Sequence, residues 1–225
     1  MHLLSPRNTQ PCRQRCLLAA GLTIGLLVGL LPALCSARDY SVDAEASQIR
    51  IRVMRAGPYS ILAHDHILVA RGLAGKVTLN PGTPAASSAS LSVPVSFLEI
   101  DDPKERAQEG FASELNESNR SSVRETMLGT SQLDAAQYPR VTIAVDRAEG
   151  TLPALRLHVR VKIRDREQSM EIPVTVSADV TTLVISGETD LRQSAFGITP
   201  YSALFGAIAV EDTVRLRFQI VAKAD

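Results

Sequence analysis

Few side chains in this sequence are of a type and spacing that could do chemistry. His64-Asp65-His66 is the sharpest group: at strand spacing its two imidazoles would share one face and supply half of a metal site. Downstream of residue 37 the only other histidine is His158, so a third ligand would have to be a carboxylate. The ligand inventory is short. No metal residue is assigned, and His64 and His66 read as a hydrogen-bonded structural pair or a polar cap at the mouth of a pocket. The rows Arg50, Arg52, Arg55 and Arg156, Arg160, Lys162, Arg164 could attract anionic lipid head groups or an acidic partner. The competing reading is a solvated exterior in which Glu171 and neighbouring acids pair across strands. No nucleophile motif, phosphate loop or HExxH stretch occurs, so no catalytic residue is assigned and the chain is read as a non-enzyme.

The elements that carry these residues read mainly as strands. From Ala154 to Arg164, apolar and cationic side chains alternate without a break. Leu155, Leu157, Val159, Val161 and Ile163 fall on one face; Arg156, His158, Arg160, Lys162 and Arg164 fall on the other. Eleven residues at strand rise reach about 35 Å, and such long amphipathic strands suit a closed antiparallel barrel. Further strands are predicted over Gln48 to Val53, Leu73 to Leu79, Ala89 to Phe97, Arg140 to Val145, Gln168 to Val180, Leu183 to Leu191 and Thr213 to Ala222. Asn80-Pro81-Gly82 and Asp165-Arg166-Glu167 provide turn signals. Residues 101–137 break the pattern. They are charged, poor in β-branched residues and contain Ser122-Val123-Arg124-Glu125, which has the form of a capping box. One or two short helices are expected there, packed across an opening of the barrel, with Val123 and Met127 one turn apart.

The N-terminus bears on location. Arg7, Arg13 and Arg15 precede the uncharged run Leu17 to Leu34, and Ser36-Ala37 precedes the first acid at Asp39. That order, basic then apolar then small, is the order of a secretory signal over residues 1–37, leaving a single domain at 38–225. An uncleaved membrane anchor through residues 17–34 is the competing reading. Leu34 is too large for the position before a lipoprotein cysteine at Cys35. Cys12, Cys16 and Cys35 all lie in this leader, so a cleaved chain would have no disulfide and no thiol chemistry. Cleavage would leave 21 basic against 24 acidic side chains, a net charge of −3, which argues against a nucleic-acid binder.

Several segments, in this order, resemble the YceI-like family of secreted lipid-binding proteins. They are Tyr40-Ser41-Val42-Asp43, Gly72 to Leu79, Arg124 to Leu128 followed by Leu133 to Pro139, Leu191 to Ile198, and Glu211 to Val214. The sequence departs from the family at Met127, where many relatives carry histidine, at Leu133, at 63–66 and in the small-residue loop 199–209. The resemblance implies an all-β fold, an extended eight-stranded antiparallel β-barrel of lipocalin-like form with the helices inserted around 101–137. It also implies a periplasmic location and an elongated pocket for a polyisoprenoid chain.

The expected function is therefore that of a periplasmic carrier holding an isoprenoid lipid or isoprenoid quinone as ligand, with no cofactor. Ile51, Val53, Leu157, Val159, Val161, Val174, Val176 and Phe196 are the expected apolar lining, and His64 and His66 the polar mouth. Gly197 would let the chain bend and turn the Phe196 ring inward to close one end. A membrane-surface contact and a homodimer are compatible with this reading. The alternatives are a metal-dependent or hydrolytic envelope enzyme using His64 and His66, and an envelope adaptor without a ligand.

Overall fold

A computed structural model describes residues 37–111 and 115–225. The leader and anchor readings of residues 1–37 and 17–34 fall outside the described residues, apart from Ala37. Among the described residues the chain forms fourteen strands: β1 (Arg38–Val42), β2 (Gln48–Val53), β3 (Arg55–Ala56), β4 (His66–Ala70), β5 (Ala74–Leu79), β6 (Ser88–Pro94), β7 (Leu98–Ile100), β8 (Arg140–Thr151), β9 (Ala154–Ile163), β10 (Arg166–Ala178), β11 (Thr182–Arg192), β12 (Ser202–Ala203), β13 (Ile208–Val210) and β14 (Thr213–Ala224). Two α-helices, α1 (Pro103–Gln108) and α2 (Glu117–Leu128), stand between β7 and β8.

The main sheet closes on itself. Its antiparallel order β1-β5-β6-β8-β9-β10-β11-β14 returns to β1, a ring of eight strands. From β14 the sheet also branches to β2, β4 and β7. β14 can serve three neighbours because it is long: Ala222 to Ala224 pair with β1, whereas Arg215 to Gln219 pair with β2. At one end of the barrel β1 lies between β14 and β5. At the other, β2, β4 and β7 stand in that place, and the turn Val95–Phe97 joins β6 to β7.

The alternation in the long strands gives the predicted faces. Leu155, Val159 and Val161 are buried, while Arg156 and Lys162 face solvent. Arg164 does not belong to the strand face. It has φ 57° and forms the tight turn into β10, so β9 ends at Ile163. β10 ends at Ala178, leaving Val180 beyond the strand and exposed. β8 is longer than its alternation suggests. A bulge between Val145 and Arg147 inserts one residue, restoring the inward phase at Ala148 and carrying the strand to Thr151.

β4 was missed by pattern because Ile67-Leu68-Val69-Ala70 has no polar alternation; it is buried on both faces, inward to the barrel and outward beneath α1. α2 begins five residues before the expected capping box. Asn116 is its N-cap, accepting the Asn119 N–H at 2.8 Å, and Ser122 sits mid-helix donating to the Ser118 carbonyl. Arg124 fixes the helix to the barrel rim by donating to the carbonyls of Leu98 and Ser96, each at 2.6 Å.

Candidate functional site

The barrel interior is divided. Tyr40, Leu79, Ala148, Leu155, Val174, Val176, Leu183 and Ala222 are buried together at the β1 end. Beyond them lies a cavity of about 470 Å³. Its deepest lining residue is Leu157 on β9, Ile172 on β10, Ile185 on β11 and Ile220 on β14. Each is the inward neighbour of a packed residue one step nearer the β1 end. The lining is almost wholly aliphatic, with Phe196, Phe218 and Tyr201 as its aromatic members. Such a surface gains about 25 cal/mol per Å² of apolar ligand removed from water and imposes little directional specificity.

Six of the expected lining residues are on this surface: Ile51, Val53, Leu157, Val159, Val161 and Phe196. Val174 and Val176 are not. They point inward as the alternation requires, but they lie toward the β1 end, where facing side chains fill the interior. Phe196 ends a short 3-10 turn after β11 and is only 2% exposed. Gly197 follows it with φ 71°, a conformation that suits glycine, and a Cβ there would lie 2.9 Å from Arg166 Nε. Sequence reasoning missed the lining residues from α2 and its following loop, Val123, Met127 and Leu133, although Val123 and Met127 were placed on one helix face. It also missed Tyr201, Ile198 and Val210, whose loop has no strand periodicity.

Polar lining groups cluster at the end away from β1. They include His66, Ser122, Thr126, Thr189, Arg192, Gln193 and Tyr201. Ser122, Thr126, Arg192 and Tyr201 are exposed, so here the cavity meets the surface.

The structure separates the members of His64-Asp65-His66. Only His66 is in a strand, paired with Val53, and only His66 lines the cavity. Asp65 turns to Arg55, accepting its backbone N–H at 2.9 Å. His64 precedes the strand and is not part of the lining, so strand alternation does not align the two imidazoles. The sequence offered no signal for the real partner of His66, which is Asp101, 35 residues away. The His66 Nδ1 to Asp101 Oδ2 distance is 2.6 Å. Asp101 is 1% exposed; it also accepts the Ile67 N–H at 3.0 Å and Arg106 Nη1 at 2.7 Å.

Burial alone would raise the Asp101 carboxyl, but the hydrogen bonds from His66, Ile67 and Arg106 outweigh it and hold it below the ordinary value. An ionised Asp101 only accepts, so His66 Nδ1 carries a hydrogen, leaving Nε2 as the other hydrogen-bonding atom of the ring. Among the described residues no group of three or more His, Cys, Asp and Glu side chains is arranged to hold a metal ion.

The cationic rows divide as well. Arg50 and Arg52 are only partly exposed: α1 and the Glu109 that ends it stand over them, with Arg50 2.6 Å from Glu105 and both arginines paired with Glu109. Arg156 and Arg160 follow the cross-strand reading. Arg156 pairs with Glu171, and Arg160 donates to both oxygens of Asp146 at 2.7 and 2.8 Å. His158 is 3.0 Å from Glu149.

A sequence profile of the YceI-like domain matches residues 40–222.

The chain belongs to the YceI-like family. YceI-like barrels are binding proteins for hydrophobic ligands rather than typical enzymes. The fold is similar to the crystal structure of BcnA from Burkholderia cenocepacia, with TM-score 0.61 and 18% identity over 80% of this chain and 99% of that one. It is also similar to the YceI protein of Campylobacter jejuni, with TM-score 0.52 and 10% identity over 70% of this chain and 84% of that one. No curated protein matches the chain in sequence. As a YceI-like barrel, the chain uses one end of its ring for packing and the other for a ligand-sized space.

Proposed function

We propose that this YceI-like protein is a non-catalytic carrier for a long-chain isoprenoid lipid or isoprenoid quinone. In this reading it works in the periplasm after export by residues 1–37. The observation that carries the reading is the aliphatic cavity of about 470 Å³, closed by packed side chains at one end and rimmed by polar groups at the other. An amphiphile fits that polarity: its hydrocarbon lies among Ile143, Val159, Val161 and Leu216, and its head remains near His66, Arg192 and Tyr201. His66 supplies directional recognition, because Asp101 fixes its ring and leaves Nε2 to accept from a head-group hydroxyl or, when the ring is protonated, to donate to a head-group carbonyl.

Native mass spectrometry of protein isolated from a membrane-containing lysate tests the proposal. A co-purified isoprenoid, or uptake of an added polyprenol or quinone at one per chain, is expected. His66→Leu should lower retention of the polar-headed compound more than that of the parent hydrocarbon. No co-purified lipid together with no uptake would overturn the reading. N-terminal sequencing of exported protein should begin near Arg38, and a start at Met1 would favour the anchor.

A further inference from the structure

At the open end the chain builds a small structure outside the barrel wall. β3 pairs with β13, and β13 with β12, forming a separate three-stranded sheet. Two short turns, Ser60–Leu62 and Leu204–Gly206, stand at its tip. They are tied together: the Tyr59 N–H donates to the Ala207 carbonyl at 2.9 Å, and a Cβ at Gly57 would lie 2.7 Å from that same oxygen.

This tip is apolar and outward-facing. Ile61, Leu62, Leu204 and Phe205 are exposed, Ile61 by 83% and Phe205 fully, with Tyr59 and Tyr201 half-exposed at the base. These six are the majority of the large exposed apolar side chains among the described residues. Leu204 and Phe205 both take positive φ, 49° and 55°, which side-chain-bearing residues normally avoid. The backbone is thus held in an unfavourable form to present two side chains of which Leu204 is mostly and Phe205 fully exposed.

The charge distribution is equally particular. Residues 56–64 and 193–210 contain no Asp, Glu, Lys or Arg, and His64 is their one histidine. The flanking cations are neutralised: Arg55 lies 3.7 Å from Asp65, and Arg192 3.2 Å from Asp212. The surface also runs directly into the cavity, since Tyr201, Ile198 and Val210 line it.

We infer that this tip inserts into the interfacial layer of a lipid bilayer and sets the cavity mouth against it. A convex, uncharged projection with aliphatic and phenyl groups at its end and tyrosines behind them suits a bilayer, where tyrosine rests at head-group level and apolar chains go deeper. A protein partner would need a matching hollow and would find few charged or directional groups to recognise. Because both tip segments lack Asp, Glu, Lys and Arg and the flanking Arg55 and Arg192 are paired, the attachment is hydrophobic rather than electrostatic. The inference concerns the outer surface and stands apart from which ligand the cavity holds.

The chain contains no tryptophan, which permits a site-specific test in the full-length protein. Phe205→Trp is mixed with vesicles of phosphatidylcholine alone, and the emission and its quenching by brominated acyl chains are recorded. Emission should move to shorter wavelength and be quenched, with little change in 1 M salt. Val180→Trp, exposed at the far end of the barrel, should show neither effect. Adding Ile61→Asp and Leu204→Asp to the Phe205→Trp chain should weaken the vesicle response by roughly tenfold or more.

An unchanged Phe205→Trp spectrum with vesicles overturns the inference, as does a response that requires anionic lipid. A spectrum that changes only when a protein partner is added also overturns it, in favour of protein docking. Val159→Phe, which narrows the cavity, should reduce ligand uptake while leaving the tip's vesicle response intact, so failure of one reading is distinct from failure of the other.

Discussion

The two ends of the barrel share most of their strands and differ in what those strands enclose. At one end β1 completes a ring of eight, and an eight-stranded ring is about wide enough for its own side chains to fill. Leu155, Val174, Val176, Leu183 and Tyr40 do so. At the other end β2, β4 and β7 occupy the place of that single strand, and the wall widens. The inward residues do not become smaller: Ile143, Ile172, Leu216 and Phe218 line the cavity. The hollow thus arises from how many strands make the wall, not from trimming its side chains.

The largest expected contrast comes from removing the same group at both ends. Leu183→Ala leaves a new void among fixed neighbours and should cost about 3–5 kcal/mol. Leu216→Ala only extends a void already present and should cost about 1–2 kcal/mol, close to the transfer term alone. Urea denaturation of both variants measures this, and equal losses would break the comparison.

Adding volume should reverse the ranking of harm and function. Val176→Phe overpacks the filled end and should destabilise by about 1–3 kcal/mol. Val159→Phe has room and should leave the melting temperature near that of the parent while reducing ligand occupancy. Thermal melts paired with ligand counting by native mass spectrometry check both halves.

The smallest expected effect is a pH dependence seated at the open end. Asp101 has a folded pKa below its ordinary value of 3.8, so its contribution is complete above that value and is lost as pH falls through the lower folded value. Urea stability should therefore be level at neutral pH and decline below about pH 4. Asp101→Asn should be less stable at pH 7, since Arg106 loses a buried partner, but should lose less between pH 7 and pH 3. An identical decline in both proteins would remove Asp101 from the acid response.

The barrel was legible because the strands that are wet outside and apolar inside, β9 above all, write their faces into alternating residues. Where both faces are covered the signal vanishes. β4 under α1 carries four consecutive apolar residues and so offers no alternation to read. A bulge at Val145 likewise concealed half of β8, because one extra residue inverts the alternation. Ile51, Val53, Leu157, Val159 and Val161 could be named from face alone. Val174 and Val176 could not be separated from Val159 and Val161, since alternation tells inside from outside but not filled from hollow. The pairing of His66 with Asp101 joins residues 35 positions apart through the β4–β7 pairing, and no local pattern encodes it.

The threefold pairing of β14 also dictates an order of events. The first strand of the barrel, β1, and the second, β2, each hold one early partner, β5 and β4, but their other edges remain open until residues 213–224 arrive. The last strand of the barrel in chain order is thus the seam of the whole wall. A chain that lacks β14 keeps three unpaired strand edges, on β1, β2 and β11, and ring closure must wait for contacts spanning nearly the full domain. Such long-range closure is slow compared with local folding, so the chain has an interval as an extended, open-edged polymer before it becomes a container.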